Sequence, residues 1–486
     1  MAGIGFKLRR LTQDESLLGY FQGYISAGLI CCGPWILTVL TLSLADLFFA
    51  GFSAGGRPNL FRLLIVYVFA FSLVTTGGLQ TVVTRYLADR LYAEDPHGHV
   101  PTYAGLCLLN SPIQALLAGL GLGFLPMPVA FKAAGISLYV LVCNLWLLMI
   151  FLGAVRAYAS ILAAFALGGL ASLGLMWALS DYQELGLLLG FSGGQAVAYL
   201  WMLRLLLREF PSSGPAWNFS FLIYFRKYPA LGVGGWLLNL GAWIGVFVYW
   251  MSSYATVYYG LPSYYPYHDV AVFLALLSII PALVIFFVRV ETDFYESYRA
   301  FFGGITTNKV PYSELQRRKA EMVDTLRAGF ASLLQVQGLV SLLVAAFPEV
   351  IFSFMKLPPE TLEMTRNCAA GAFFLVIFQC LTTILLYYQA YSEVALSALV
   401  LVVGNLAGAL ASLWWGQSSH GLGLLVGSLP GLLLAYRYLL RVVRNLERIT
   451  FMQQPMPGQL RLEKQEAASA FGQTLMKDGV WIGGKP

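Results

Sequence analysis

The stretch "YPALGVGGWLLNLGAWIGVFVYWMSSYATVYYGLPSYYPYHDVAVFLALLSIIPALVIFFVRVETDFYESYRAFF", residues 228–302, holds two apolar runs joined by a tyrosine-crowded loop and closed by an abrupt polar exit. The first run, Ala230 to Thr256, carries Trp236, Trp243 and Trp250 at intervals of seven. In an α-helix these three fall along nearly one face, drifting by roughly 20° per heptad. They share the run with Gly232, Gly235, Gly241, Gly245 and Asn239, so large rings alternate with places where a second helix can approach closely. The loop from Tyr249 to His268 contains seven tyrosines and no Lys or Arg, which places it on the non-cytoplasmic side of a membrane. The second run, Val270 to Val288, is interrupted by Pro281 and leaves through Arg289, Glu291 and Asp293. The stretch therefore reads as a transmembrane helical hairpin with an aromatic outer end and a charged inner end.

Composition extends this reading to the whole chain. Of the 486 residues 58% are hydrophobic and 11% charged, with a mean hydropathy of +0.71. Soluble domains carry roughly 25% charged residues, so this is a polytopic membrane protein. Its spans must be helical, because lipid offers no partner to an unpaired backbone group. Lys7, Arg9 and Arg10 resemble the charged start of a secretory signal, but the apolar run from Leu17 to Phe52 far exceeds a signal core of roughly 7–15 residues and is a retained first span. Cys31, Cys32, Cys107, Cys143, Cys368 and Cys380 lie in apolar runs without metal-ligand spacing, as small packing residues do. No basic patch accompanies a nucleic-acid motif, so a nucleic-acid partner is excluded.

Twelve spans are predicted, near 18–50, 60–84, 101–125, 135–155, 157–179, 184–207, 230–256, 268–290, 328–347, 367–388, 393–415 and 420–440. Twenty-five Lys and Arg then fall on one side of the membrane and five on the other, Arg57, Arg62, Lys132, Lys356 and Arg366. Both termini are expected to be cytoplasmic. The chain divides six and six: an N-lobe over 1–207, a connecting loop over 208–229, a C-lobe over 230–444 with a cytoplasmic loop over 291–327, and a cytoplasmic tail over 445–486. "YISAGLICCGPW", residues 24–35, echoes "YPALGVGGW", residues 228–236, as an internal duplication would. Such pseudo-repeated lobes are the ground plan of alternating-access transporters.

Charge is scarce inside the spans. Asp46 sits toward the outer end of span one, where a water-facing residue is the simpler account, and Arg85 closes span two, where it can snorkel. No buried carboxylate stands out as a proton or sodium carrier, in spans seven to twelve least of all. Neutral polar residues, Gln80, Asn144, Gln195, Asn239, Gln379, Gln389 and Asn405, serve as interhelical glue or together wet a cavity. The tryptophans have two readings as well. One is ordinary packing and interfacial aromatics; the other is a path in which rings stack on sugar faces or on a cationic chain. Glu291 and Asp293 form an E-x-D triplet, seen in metal–nucleotide-sugar sites but more commonly a juxtamembrane charge cluster. Residues 312–327 read as a helix rich in both charge signs, either lying on the membrane, docking a partner or simply connecting spans.

The opening "MAGIGFKLRRL", the "SLLGYFQGYISAGLICCGPWIL" of residues 16–37, "TRYLADRLY" after span two and "VETDFYESYRAFFGGI" after span eight resemble the PelG family, within the flippase superfamily of multidrug and oligosaccharidyl-lipid exporters. The resemblance runs through span twelve. It implies two six-helix lobes forming a V in the bacterial inner membrane. It also implies export of an amino-sugar exopolysaccharide for biofilm matrix, with a cytosolic glycosyltransferase and other inner-membrane Pel-type subunits as partners beside the lipid bilayer. The residues following Arg448 match no family motif.

The expectation is therefore an all-α polytopic transporter, not an enzyme, needing no cofactor or metal. Gly33 and Pro34 are expected to kink span one. Trp35, Trp236, Asn239, Trp243 and Trp250 are the candidates for the substrate path, and Arg85, Glu291 and Asp293 for a cytoplasmic gate or partner contact. A cation-coupled small-molecule antiporter of the same superfamily and a non-transporting subunit of a synthase complex stand as alternatives. A membrane glycosyltransferase is disfavoured, because the outer loop 51–61 has no carboxylate to hold a metal and sugar phosphate.

Overall fold

The computed structural model describes residues 17–49, 60–93, 98–155, 157–210, 215–258, 261–306, 310–349, 359 and 361–452. Helices follow one another as α1 (Leu17–Phe48), α2 (Leu60–Tyr92), α3 (His99–Gly123), α4 (Val129–Ala154), α5 (Tyr158–Ala178), α6 (Gln183–Glu209), the short α7 (Leu222–Lys227) and α8 (Pro229–Trp250). A two-stranded antiparallel hairpin, β1 (Thr256–Tyr258) and β2 (Leu261–Tyr264), precedes α9 (Pro266–Leu277) and α10 (Ile280–Arg289). A single π turn, Val290–Phe294, leads into α11 (Tyr295–Thr306). Then come α12 (Tyr312–Ala346), α13 (Thr361–Tyr387), α14 (Tyr391–Trp415), α15 (Leu422–Arg444) and α16 (Leu446–Met452).

Eleven helices among the described residues are long and apolar enough to cross a membrane, and Cys32–Phe48 of α1 is a further, shorter apolar helix. The expected breaks are where the chemistry puts them. Pro281 has no N–H to donate, so the eighth span is two helices, with the proline in the first turn of α10. The charged segment 312–327 is helical, as expected, and forms the first half of α12, continuous with the ninth span over 35 residues, or roughly 52 Å. Bonds from Arg317 and Arg318 to Glu314, and from Arg327 to Asp324, support it one turn apart, and no Gly or Pro interrupts the segment.

The helix pairings repeat between the two halves. In the first, α1 packs on α5, α2 on α4, α3 on α4 and α5 on α6; in the second, α8 packs on α14, α9 on α13 and α12 on α13. The repeat reaches the backbone contacts. Between α5 and α6, a β-carbon on Gly168 would stand 2.8 Å from the Gly194 carbonyl oxygen; between α14 and α15, one on Gly404 would stand 2.7 Å from the Gly427 α-carbon. These are the pseudo-repeated lobes. Two buried clusters fill the N-lobe, one around Phe61, Leu138 and Phe191 and one around Tyr103, Phe151 and Phe221, while Tyr249, Ala275, Cys368 and Cys380 sit in that of the C-lobe. The chain forms one compact unit through Tyr436 and a second from Arg437.

Candidate functional site

The lobes meet along two seams that the repeat makes equivalent, α2 against α8 and α1 against α10. Glycine sets the first. Added β-carbons on Gly77 and Gly235 would each stand 2.8 Å from the other residue's carbonyl oxygen, and one on Gly78 would stand 2.7 Å from the Gly232 oxygen. Backbone therefore rides on backbone. Thr81 Oγ1 donates across the seam to the Leu231 carbonyl at 3.1 Å, and Asn239 Nδ2 donates back along its own helix to Gly235 at 3.0 Å. Asn239, a path candidate by sequence, is thus seated at the helix crossing.

Further along the same seam, rings replace glycines. Phe71 stacks on Phe247 with centroids 4.8 Å apart, and Tyr67 meets Trp250 edge-on at 4.6 Å. The three heptad tryptophans differ in surroundings. Trp236 is 44% exposed, on a strip shared with exposed Val233; Trp243 is half-buried and stacks on Phe247; Trp250 is 3% exposed. Trp250 Nε1 lies 3.0 Å from both carboxylate oxygens of Asp269, and one of those oxygens also accepts the Tyr265 backbone N–H at 3.2 Å. Asp269 lies in the first turns of α9, partly buried with its side chain 17% exposed, and none of the carboxylates in the described parts of spans seven to twelve is fully buried. Its N-terminal position on that helix and its indole donor offset this partial burial.

Around Asp269 lies the rest of the tyrosine loop. Tyr249 exchanges a 2.6 Å bond with Ser412 and accepts the Gly421 N–H at 2.9 Å, while Tyr265 bonds His420 at 3.1 Å. The Tyr249 ring lies 4.0 Å from that of buried His268. Tyr264, at the end of β2, packs against the N-lobe cluster, next to Arg62, which pairs with Asp46. The loop's aromatic character is therefore spent on a folded cap that touches both lobes.

The opposite, basic end of the seam holds a second aromatic cluster, formed by the C-terminal part of α2, by α7 and the residue after it, and by the start of α14. Tyr86 meets Tyr224 at 5.2 Å, Tyr224 meets Tyr228 at 5.8 Å, and Tyr228 meets Tyr391 at 5.4 Å. Arg85 lies over Tyr228 and pairs with Asp89 at 3.0 Å; Lys227 lies over both Tyr224 and Tyr228. Tyr224 donates to Asp89 at 2.9 Å, and burial together with that carboxylate pushes its phenol up to about 12. Asp293 pairs with Arg289 of its own helical turn at 2.9 Å, so Arg85 and Asp293 each hold a partner within their own segment. Glu291 is on the π turn, and its side chain lies outside the described residues.

In α1 the helix continues through Pro34, whose carbonyl accepts Thr38 Oγ1 at 2.8 Å, and buried Gly33 faces Leu162. Trp35 is 37% exposed and 6.2 Å from Phe273 of the other lobe. The N-lobe interior also holds a neutral network, of which the sequence marked Asn144 alone. Gln114 donates to Asn110, Asn110 to Asn144, Asn144 to Ser111, and Tyr139 bridges Gln114 and Thr75. Asn110 and Gln114 stand four apart in α3, the spacing that could have revealed one polar face. Asn405, expected as glue or cavity lining, donates across α8 to the Gly241 carbonyl at 2.8 Å.

A family model, PelG, described as an "exopolysaccharide Exporter (EPS-E)", matches residues 1–451. No curated protein matches the chain. Solved structures that it resembles include an outward-facing multidrug resistance MATE family transporter of the MOP superfamily, at 12% identity and a TM-score of 0.63, covering 92% of this chain and 100% of that one. A MOP superfamily transporter from Pyrococcus furiosus aligns at 13% identity and 0.61, covering 92% and 99%. The Vibrio cholerae MATE transporter VcmN aligns at 14% and 0.59, covering 86% and 98%. The fold is that of these two-lobed membrane transporters.

Proposed function

The chain belongs to the PelG family of exopolysaccharide exporters, and from that premise we propose that it moves an amino-sugar exopolysaccharide outward across the bacterial inner membrane, for a biofilm matrix, by rocking its two lobes. In this reading both termini are cytoplasmic, the polymer comes from a cytosolic glycosyltransferase, and other inner-membrane Pel-type subunits assemble with the exporter. The observation that carries it is the pair of equivalent interlobe seams, each bearing partly exposed rings: Phe71 on one, Trp35 and Phe273 on the other. Flat rings between mobile lobes suit a sugar chain, which stacks on them without a deep binding well. Trp35 and Trp243 are the path candidates this geometry favours, since Trp236 shares its exposed strip with Val233 and Trp250 is tied to Asp269.

Asp269 favours a second reading, a cation-coupled small-molecule antiporter. Its oxygens already accept three bonds from Trp250 and Tyr265, so it serves better as an anchor for the cap than as a site that repeatedly exchanges an ion. The experiment is uptake into liposomes of labelled amino-sugar oligosaccharides, neutral sugars and a cationic drug. Saturable oligosaccharide uptake, weakened by Trp243→Ala, supports the proposal. Uptake of the drug alone supports the antiporter. Oligosaccharide uptake that begins only when cytosolic partners are added removes autonomous alternating access.

A further inference from the structure

Arg437, Arg441 and Arg444 stand at i, i+4 and i+7 on the last turns of α15, so their side chains leave one face of the helix. With Leu440 and Asn445 they line an open cavity of about 390 Å³, and all five residues are exposed. Residues 437–452 contain four arginines and a single carboxylate, Glu447. The helix α15 runs 23 residues from Leu422 to Arg444, roughly 34 Å, enough to cross a hydrocarbon core of roughly 30 Å. The last turns of α15, which carry the arginines, therefore lie at one face of the bilayer.

We infer that this cavity binds the phosphate headgroup of an anionic phospholipid. Planar guanidinium groups hold phosphate oxygens two at a time, which lysine cannot do. Leu440, between the arginines, gives the cavity an apolar wall that a free anion does not need and an acyl chain does. The depth in the bilayer and the mixed lining thus select a lipid over a soluble phosphate. Near an anionic surface each arginine contributes about a fivefold gain in affinity.

The test titrates the purified full chain in neutral detergent with phosphatidylglycerol, phosphatidylcholine or inorganic phosphate, following thermal melting. Phosphatidylglycerol is expected to raise the melting temperature of the native chain, with salt weakening the effect, while phosphatidylcholine does not. Arg441→Gln should weaken the response about fivefold, and the triple change Arg437→Gln, Arg441→Gln and Arg444→Gln by well over about tenfold. Replacing the same three arginines by lysine keeps the charge and the fold and should retain a weaker response, a check should the glutamine triple fail to fold. Equal responses to the two lipids, or an undiminished response in the single Arg441→Gln variant, would overturn the assignment. So would inorganic phosphate reproducing the whole effect, because the site would then be one for a free anion.

Discussion

Alanine at Gly77 tests the α2–α8 seam most directly. Its β-carbon would stand 2.8 Å from the Gly235 carbonyl oxygen and 2.5 Å from Asn239 Nδ2, where ordinary contact begins at 3.4 Å. The carbonyl belongs to rigid helix backbone, so the helices must part by about 0.6 Å to restore contact distance. The Asn239 amide must also leave its bond to Gly235. Overpacking of this kind costs about 1–3 kcal/mol. Gly235→Ala meets the reciprocal obstacle, the Gly77 oxygen, together with Thr81. Since one displacement relieves both, the double variant should lose less than the sum of the two.

Unfolding of the purified protein in detergent provides the assay, with Gly121→Ala as reference. An added β-carbon at Gly121 meets nothing within 4 Å, so that change should be neutral or stabilising by about 0.4–1 kcal/mol. If Gly77→Ala is as stable as Gly121→Ala, the seam is not packed backbone to backbone in the working protein, and the reasoning fails. Export measured on the same variants separates packing from motion. A destabilised variant that still exports at the native rate would mean that the seam need not close during transport.

Trp250→Phe removes the donor held by Asp269 and should destabilise by about 1.5–3 kcal/mol, whereas Asp269→Asn keeps an acceptor and should cost less; thermal melting distinguishes them. Pro34→Ala should impair export at normal membrane levels, and unchanged export would remove Pro34 from the mechanism. Tyr224→Phe should cost about 1 kcal/mol through its bond to Asp89. The phenol is pushed up to about 12, above its ordinary value, so this contribution is fully present at lower pH and lost only as pH rises through about 12; the melting difference should therefore stay constant from pH 6 to 9.

The fold was legible because hydrophobic length and breaker residues act locally. The run from Leu60 is helix whatever surrounds it, and Pro281 splits the eighth span wherever that span packs. What could not be read was which side chains find each other across helices. The heptad tryptophans look alike in sequence, yet Trp250 is buried because Asp269, nineteen residues on, receives its N–H. That aspartate stands at the edge of its span, and nothing in its local sequence announces its indole partner. Glu291 and Asp293, adjacent in a motif, are answered by a local pair, Arg289 with Asp293. Conversely the Tyr86, Tyr224, Tyr228 and Tyr391 cluster draws on segments more than 300 residues apart, which no local pattern announces.

The two ends of the seam differ in what separation would cost. At the aromatic end, parting Phe71 from Phe247 and Tyr67 from Trp250 forfeits about 0.5–1.5 kcal/mol per pair and leaves no polar group without a partner. The cap adds the packing of Tyr264 against the N-lobe. At the basic end, parting breaks the bond from Thr81 to Leu231 and uncovers the helix backbone at Gly77, Gly78, Gly232 and Gly235. It also strains the bond of Tyr224 to Asp89, which contributes about 1 kcal/mol. Opening is therefore cheaper at the aromatic end. Cross-linking of cysteines placed at Phe71 and Phe247 should fade when substrate is added, while a pair placed at Thr81 and Leu231 persists; the reverse order would show that the glycine crossing, and not the rings, is the gate.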